Sequence, residues 1–412
     1  MSHIIVRNAP FSADLRVARN GAKELLQHDR ARAAKLLSGV SPHGPRAFVE
    51  SFRRRRDGGE TDTSADHPSE SAGTPGSVDV TDAGVTYIMS VGVGSPATTY
   101  NLLVDTGSSN TWIGAQKAYH PTHTSHSTGN TVHVSYGSGR MTGKEYTDTV
   151  ALGPNLVIQN QSIGVATDTQ GFHDVDGILG IGPVHLTQNT VSNTDQVPTV
   201  TDNLSKEGTI HSNSLGIFYE PSSTEGVKNG EITFGGVDHS KITGEISYVP
   251  ITSTIPAAHY WGIDQTITYG QNTPILGNSA GIVDTGTTLL LLATDVFEAY
   301  QEATGAVLDQ TTGLLSITQA QYDSLQSLFF NIGEVTYEFT PNAQIWPRAL
   351  NTTLGGDPDK IYLITSDLQT PSGSGLDFIN GFGWLQRFYT VYDTTNARVG
   401  IATTSFTDAE TN

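Results

Sequence analysis

Two short segments hold the residues with the most chemical potential. Leu102-Leu103-Val104-Asp105-Thr106-Gly107-Ser108 is echoed by Gly281-Ile282-Val283-Asp284-Thr285-Gly286-Thr287. Each places large apolar residues before an aspartate and follows it with Thr, Gly and a hydroxyl residue. An aspartate ending an apolar strand is desolvated, while glycine permits a sharp turn and nearby hydroxyls and backbone N–H groups can bond the carboxylate. Two such carboxylates about 3 Å apart cannot comfortably both ionise, so they share one proton. The pair then offers a base to deprotonate water and an acid to protonate a scissile carbonyl, which is peptide hydrolysis without a metal or a covalent intermediate. A lone Asp-Thr-Gly is only a turn or cap signal. Two copies in matched contexts imply two related lobes, each donating one aspartate.

The elements around these segments read as strands. After Val78 the chain consists of short β-branched runs broken by Gly, Asn, Asp and Pro, as at 86–93, 101–104, 131–136, 231–234, 246–251 and 389–392. Many short strands with little helix predict an all-β architecture of sandwich or barrel type. The main helices of this body are expected at 296–303 and 318–328. The head differs. From 12 to 40 it is rich in Ala, Leu, Arg and Lys, with Leu15, Ala18, Ala22, Leu25 and Leu26 at helical spacing and Gly21 and Gly39 as breaks. Arg53 to Arg56 precede a stretch at about 57–76 of Ser, Thr, Asp, Gly and Pro that cannot offset its ordering entropy by burial and reads as a linker.

Charge follows the same division. The chain has 412 residues, 22 basic and 41 acidic, for a net charge of -19, and no cysteine. The missing thiols exclude disulfide scaffolds, cysteine nucleophiles and thiolate metal sites. The first 60 residues carry 12 basic and 6 acidic side chains, leaving 10 and 35 in the remainder, so a basic head adjoins a strongly acidic body. Such a body argues against a nucleic-acid partner. No apolar run approaches a membrane span, and Ile4-Ile5-Val6 is far shorter than a signal-peptide core.

At its two aspartate motifs the sequence resembles the pepsin-like aspartic proteases, family A1, and within them the fungal secreted branch, several of whose members also lack disulfides. That family is the reference case for a carboxylate pair sharing a proton. Over 78–412 its motifs stand in order: Val91-Gly92-Val93-Gly94-Ser95-Pro96, Val104 to Trp112, Asp176-Gly177-Ile178-Leu179-Gly180-Ile181-Gly182, Ile282 to Thr288 and Tyr389-Thr390-Val391-Tyr392-Asp393. The resemblance implies a bilobed all-β fold of two barrel-like lobes, 73–250 and 251–412, with a substrate cleft between them, preceded by a partly helical propeptide at 1–72. It makes Asp105 and Asp284 the dyad, with Ser108 and Thr287 bonding the outer carboxylate oxygens, Thr106 and Thr285 bracing the loops, and Gly107 and Gly286 at the turns. It also implies a secreted, monomeric aspartic endopeptidase in zymogen form, without cofactor or metal, that acts at acidic pH on protein and peptide substrates and takes pepstatin-like inhibitors. A catalytically silent, peptide-binding or protease-inhibitory relative is the alternative.

Further residues follow from the same resemblance. Val134 to Arg140 reads by itself as a strand entering a glycine-rich turn and matches the family's flap, so Tyr136, Gly137 and Ser138 would close on substrate and Trp112 would hold the tyrosine. Leu103, Ile178 and Ile282 match pocket-lining positions, favouring hydrophobic residues beside the scissile bond. The family often inserts a prosegment lysine between the two aspartates, for which Lys35 and Arg46 are the candidates, with release by acid and cleavage at about 53–76. Arg53 to Arg56 are an alternative processing site. In the second lobe Asn380 replaces an apolar residue of the family pattern and needs buried hydrogen-bond partners. Asn160, Asn203 and Asn351 head glycosylation sequons. Gly277-Asn278-Ser279-Ala280-Gly281 fits a serine-hydrolase elbow, but no histidine follows it, and His120, His123 and His126 read as part of a solvated loop.

Overall fold

A computed structural model describes residues 7–16, 21–38, 84–137, 139–172, 174–224 and 227–412. Strands dominate. A 13-stranded sheet contains the first lobe and also takes in Ser247–Pro250, Phe388–Asp393 and Arg398–Thr403 from the second half of the chain. A seven-stranded sheet and a small three-stranded one build the rest of the second lobe. All six strand segments expected from sequence coincide with strands, four lying wholly inside them, while 131–136 overruns its strand by one residue and 246–251 by one at each end.

The two aspartate segments sit in equivalent frames. Thr98–Asp105 runs parallel to Gly177–Gly180, which in turn pairs antiparallel with Thr111–Ile113. Thr273–Val283 runs parallel to Phe378–Asn380, which pairs antiparallel with Leu290–Leu292. The repeat in the sequence is therefore a repeat in topology. In each lobe the chain leaves the aspartate strand, turns on the glycine and is held by a strand that returns from far along the sequence.

The head corrects the helical expectation for 12–40. Its first part is a strand, β1 (Arg7–Arg16), antiparallel to Val227–Phe234 on one side and Gly84–Val93 on the other. Helix-forming composition loses here to ladder pairing, with Val227–Phe234 along residues 7–11 and with Gly84–Val93 along residues 12–16, as tertiary context often decides such segments. Helix α1 (Ala22–Leu37) begins after Gly21, whose φ is 66° and where an added Cβ would lie 2.2 Å from the Leu354 carbonyl oxygen. The Ala22 N–H donates to that same oxygen at 2.9 Å, fixing where the helix starts. Leu25, Asp29, Arg32 and Leu36 recur at helical spacing on one buried face.

The expected helix at 296–303 lies inside Thr294–Thr304, which ends on Gly305 in the left-handed conformation. The one expected at 318–328 is corrected to a single capped turn, Gln319–Tyr322, because Leu328–Ile332 buries alternate residues and is a strand. Ser279 stands inside the strand Thr273–Val283 and donates to Asp377, so no nucleophile elbow forms. Two of the three sequons are also corrected. Asn351 is 1% exposed, and its amide nitrogen donates to the carbonyls of Asp357, Pro358 and Lys360. Asn203 is buried and donates to Gln161 at 2.9 Å. Asn160 is exposed. No helix among the described residues is long and apolar enough to cross a membrane.

Candidate active site

The two lobes bring Asp105 and Asp284 together, both with no exposed surface. Asp105 accepts from the Gly107 N–H at 2.9 Å and the Ser108 hydroxyl at 2.5 Å. Asp284 accepts from the Gly286 N–H at 3.3 Å and the Thr287 hydroxyl at 2.7 Å. The loops are tied to each other symmetrically: the Thr106 N–H donates to the Thr285 hydroxyl at 3.0 Å, and the Thr285 N–H to the Thr106 hydroxyl at 2.9 Å. Each carboxylate thus has one oxygen fixed by a side-chain hydroxyl and one directed by a backbone amide.

Between the carboxylates lies the guanidinium of Arg32, from α1. Its Nη2 donates to Asp105 at 2.5 Å and to Asp284 at 2.8 Å, and its Nε donates to Asp284 at 2.7 Å. The planar fork spans both acids at once, which an ammonium could do only as a point charge. Gly107 and Gly286 make room for it, since a Cβ at either would stand 2.3 Å from guanidinium atoms. Three residues earlier, Asp29 is fully buried and accepts the N–H groups of Thr288 at 3.1 Å and Leu289 at 2.9 Å.

This corrects the nomination of Lys35 for the place between the aspartates. Lys35 is one turn further along α1 and lies over the Tyr136 ring, 5.2 Å from its centre. Arg46 falls outside the described residues, as does Ser138. The hairpin of His126–Ser135 and Arg140–Gly153 carries Tyr136 over this region. The Tyr136 hydroxyl accepts from Trp112 Nε1 at 2.8 Å, and Phe172 packs edge-on against both rings. Gly137 abuts the backbone of Ala31 and Arg32. Leu103 and Ile178 join Trp112 and Tyr136 in one apolar cluster, while Ile282 lies in the main core, paired with Gly262 and Ile379.

Comparison with known proteins now adds to this geometry. The family model for eukaryotic aspartyl proteases matches residues 86–404. Polyporopepsin of Irpex lacteus is 61% identical over 339 residues, covering 82% of this chain and 99% of that one. Human gastricsin is 30% identical, covering 77% of this chain and 81% of its own. A crystal structure of the aspartic proteinase from Irpex lacteus superposes with a TM-score of 0.77, covering 79% of this chain and 96% of that one. The chain belongs to the pepsin-like aspartic protease family. It is an aspartic endopeptidase with the bilobed fold of that family.

The electrostatics around this protease's two buried aspartates follow from the Arg32 guanidinium between them. Burial alone would raise the Asp284 carboxyl, but the charge and hydrogen bonds of Arg32, with Thr287 and Gly286, hold it below the usual carboxylate range. Burial opposes the charge on Arg32, yet the two carboxylates keep its guanidinium protonated. Lys35 is pushed down to about 8 by burial and by the neighbouring Arg32 charge.

Arg32, Asp29 and Phe172 were not singled out from sequence. The first two were findable from the stripe Leu25, Asp29, Arg32, Leu36, where charged residues interrupt an apolar helical face. Phe172 carried no local signal.

Proposed function

We propose that this protease is produced as a zymogen whose head, centred on α1, inhibits by inserting Arg32 between Asp105 and Asp284. The bridging guanidinium carries the proposal, since it occupies the space where an attacking water and a scissile carbonyl would have to stand. With the head removed, one carboxylate takes a proton from water and the other supplies one to the peptide carbonyl. Tyr136, Gly137 and Ser138 then close over substrate, with Trp112 holding the tyrosine. Leu103, Ile178 and Ile282 favour hydrophobic residues beside the bond cut.

Acid release follows from the sign of the Asp284 shift. Its carboxyl is held low only while Arg32 is docked. The ionised pair therefore stabilises docking fully above the undocked carboxylate pKa, and that stabilisation is lost as pH falls through the depressed docked value. The attraction between a basic head and an acidic body weakens over the same range. Cleavage at about 53–76 separates the lobes, 73–250 and 251–412, from the head. The enzyme is read as secreted and monomeric, acting on protein substrates and inhibited by pepstatin.

The test is to lower the purified chain from pH 7 to pH 3, follow haemoglobin digestion with and without pepstatin, and sequence the new N-terminus. Pepstatin-sensitive activity with loss of the head is expected, and Asp105→Asn should be inert. A chain that stays intact and inactive at acid would overturn the reading.

A further inference from the structure

The two aspartate frames share a topology but differ at a buried pair. In the second lobe, Gln265 and Asn380 face each other through reciprocal side-chain hydrogen bonds: Asn380 Nδ2 donates to Gln265 Oε1 at 2.9 Å, and Gln265 Nε2 to Asn380 Oδ1 at 3.3 Å. Gln265 is 1% exposed and Asn380 0%. Ladder register identifies their counterparts in the first lobe. Asn380 pairs with Val283, as Leu179 does with Val104, and Gln265 pairs with Ser279, as Val91 does with Tyr100. Val91 and Leu179 are both fully buried and apolar. One frame therefore carries two apolar residues and the other carries two amides. Neither amide could be satisfied if only one of the two positions had changed, because a buried amide without a partner costs roughly 1–3 kcal/mol.

The pair is tied to the second aspartate by the main chain. The Asp284 N–H donates to the Asn380 carbonyl at 3.2 Å. The next residue, Gly381, lies so close under the loop that an added Cβ would stand 2.3 Å from the Leu289 carbonyl and 2.6 Å from that of Thr287. The Phe382 N–H then donates to the Thr287 carbonyl at 2.9 Å. Residues 380–382 therefore form the seat of the loop 284–289, and the Asn380 side chain fixes the start of that seat to the strand Gly262–Tyr269.

We infer that the Gln265–Asn380 amide pair is a positioning device for Asp284, holding the carboxylate's loop in the geometry that catalysis needs. The inference rests on Asp284 being one of the two catalytic carboxylates. Two directional hydrogen bonds hold the seat at a set position, and an error of about 1 Å at a reacting group can cost on the order of a hundredfold in rate.

The experiment compares acid-activated wild type, Asn380→Leu, the double variant Gln265→Val with Asn380→Leu, the exchange Gln265→Asn with Asn380→Gln, and Asp284→Asn. The readouts are thermal midpoint, kcat, KM and the pH profile of kcat on a chromogenic peptide. Asn380→Leu should lower the thermal midpoint and cut kcat by about tenfold with KM nearly unchanged. The double variant should recover the midpoint, having no stranded amide, while keeping the kcat loss and a shifted acid limb. The exchange should keep wild-type kcat.

Recovery of kcat and pH profile together with stability in the double variant would overturn the inference, showing the pair to be packing alone. Should the double variant fail to fold, Gln265→Glu decides. Its protonated acid can still donate to Asn380 and its ionised form cannot, so kcat should fall with rising pH more steeply than in wild type, and an unchanged profile would overturn the inference. Activity surviving in Asp284→Asn would sink both this inference and the reading beneath it. An inert Asp284→Asn beside wild-type kinetics in Asn380→Leu and in the double variant would sink this inference alone.

Discussion

Arg32 meets the two aspartates with a planar, permanently charged group, and its replacement separates geometry from charge. Arg32→Lys retains one positive charge but loses the fork, so head release should occur at higher pH than in the wild-type chain. Arg32→Ala leaves two buried carboxylates facing each other without a cation, and its head should be released even near neutrality; activity measured directly after dilution from pH 7 to the assay checks both. Lys35 works in the opposite sense. With its docked value near 8, below the ordinary lysine range, its protonation opposes docking, and that penalty is complete at neutral and acid pH. Lys35→Met should accordingly dock more tightly and activate at lower pH, read from the midpoint of an activation series. The dyad itself was legible because an aspartate, a glycine and hydroxyls in a repeated pattern have few other uses. The plug was not, because one arginine among the 12 basic residues of the first 60 is distinguished only by the helix face it occupies.

Among elements, the contact of α1 with the flap explains a constraint on the flap's own sequence. A Cβ at Gly137 would lie 2.3 Å from the Ala31 carbonyl oxygen and 2.6 Å from the Arg32 Cα, contacts with backbone that cannot yield by rotating a side chain. Gly137→Ala should therefore loosen the docked head and raise the pH of activation. Faster proteolytic removal of α1 at neutral pH is the measurement, and an unchanged rate would show that the flap lifts freely. Strands in the body were readable because alternation and turn residues are local signals, whereas β1 was misread as helix because its two strand partners lie far along the chain, at 84–93 and 227–234. The short helix Gln319–Tyr322 failed for a related reason: the period of two in 328–332 belongs to a sheet assembled from distant strands.

At the scale of the whole molecule, the head and body behave as one folded unit with opposite charges. The core residues of α1, Ala22, Leu25, Leu26, Ala33 and Leu36, belong to the same apolar cluster as the body. Burial of that face contributes stability that the body alone lacks, so the full chain should refold from denaturant at neutral pH in higher yield than the body, with recovered activity after acidification as the readout. Equal yields would mean that the head guards the site without assisting the fold.

The place of β1 has one more consequence. It is an inner strand of the 13-stranded sheet, with residues 7–11 paired to Val227–Phe234 and residues 12–16 paired to Gly84–Val93. Cutting the chain after it cannot by itself free it, because the ladder to Val227–Phe234 along its first half and the ladder to Gly84–Val93 along its second half must both come apart. Once it leaves, two strand edges in the middle of the molecule are open to any extended segment that reaches them. Under the zymogen proposal, removal of the head would in this respect be a strand exchange, whose completion depends on what next occupies the gap, and a departed head returning in trans would find its berth contested.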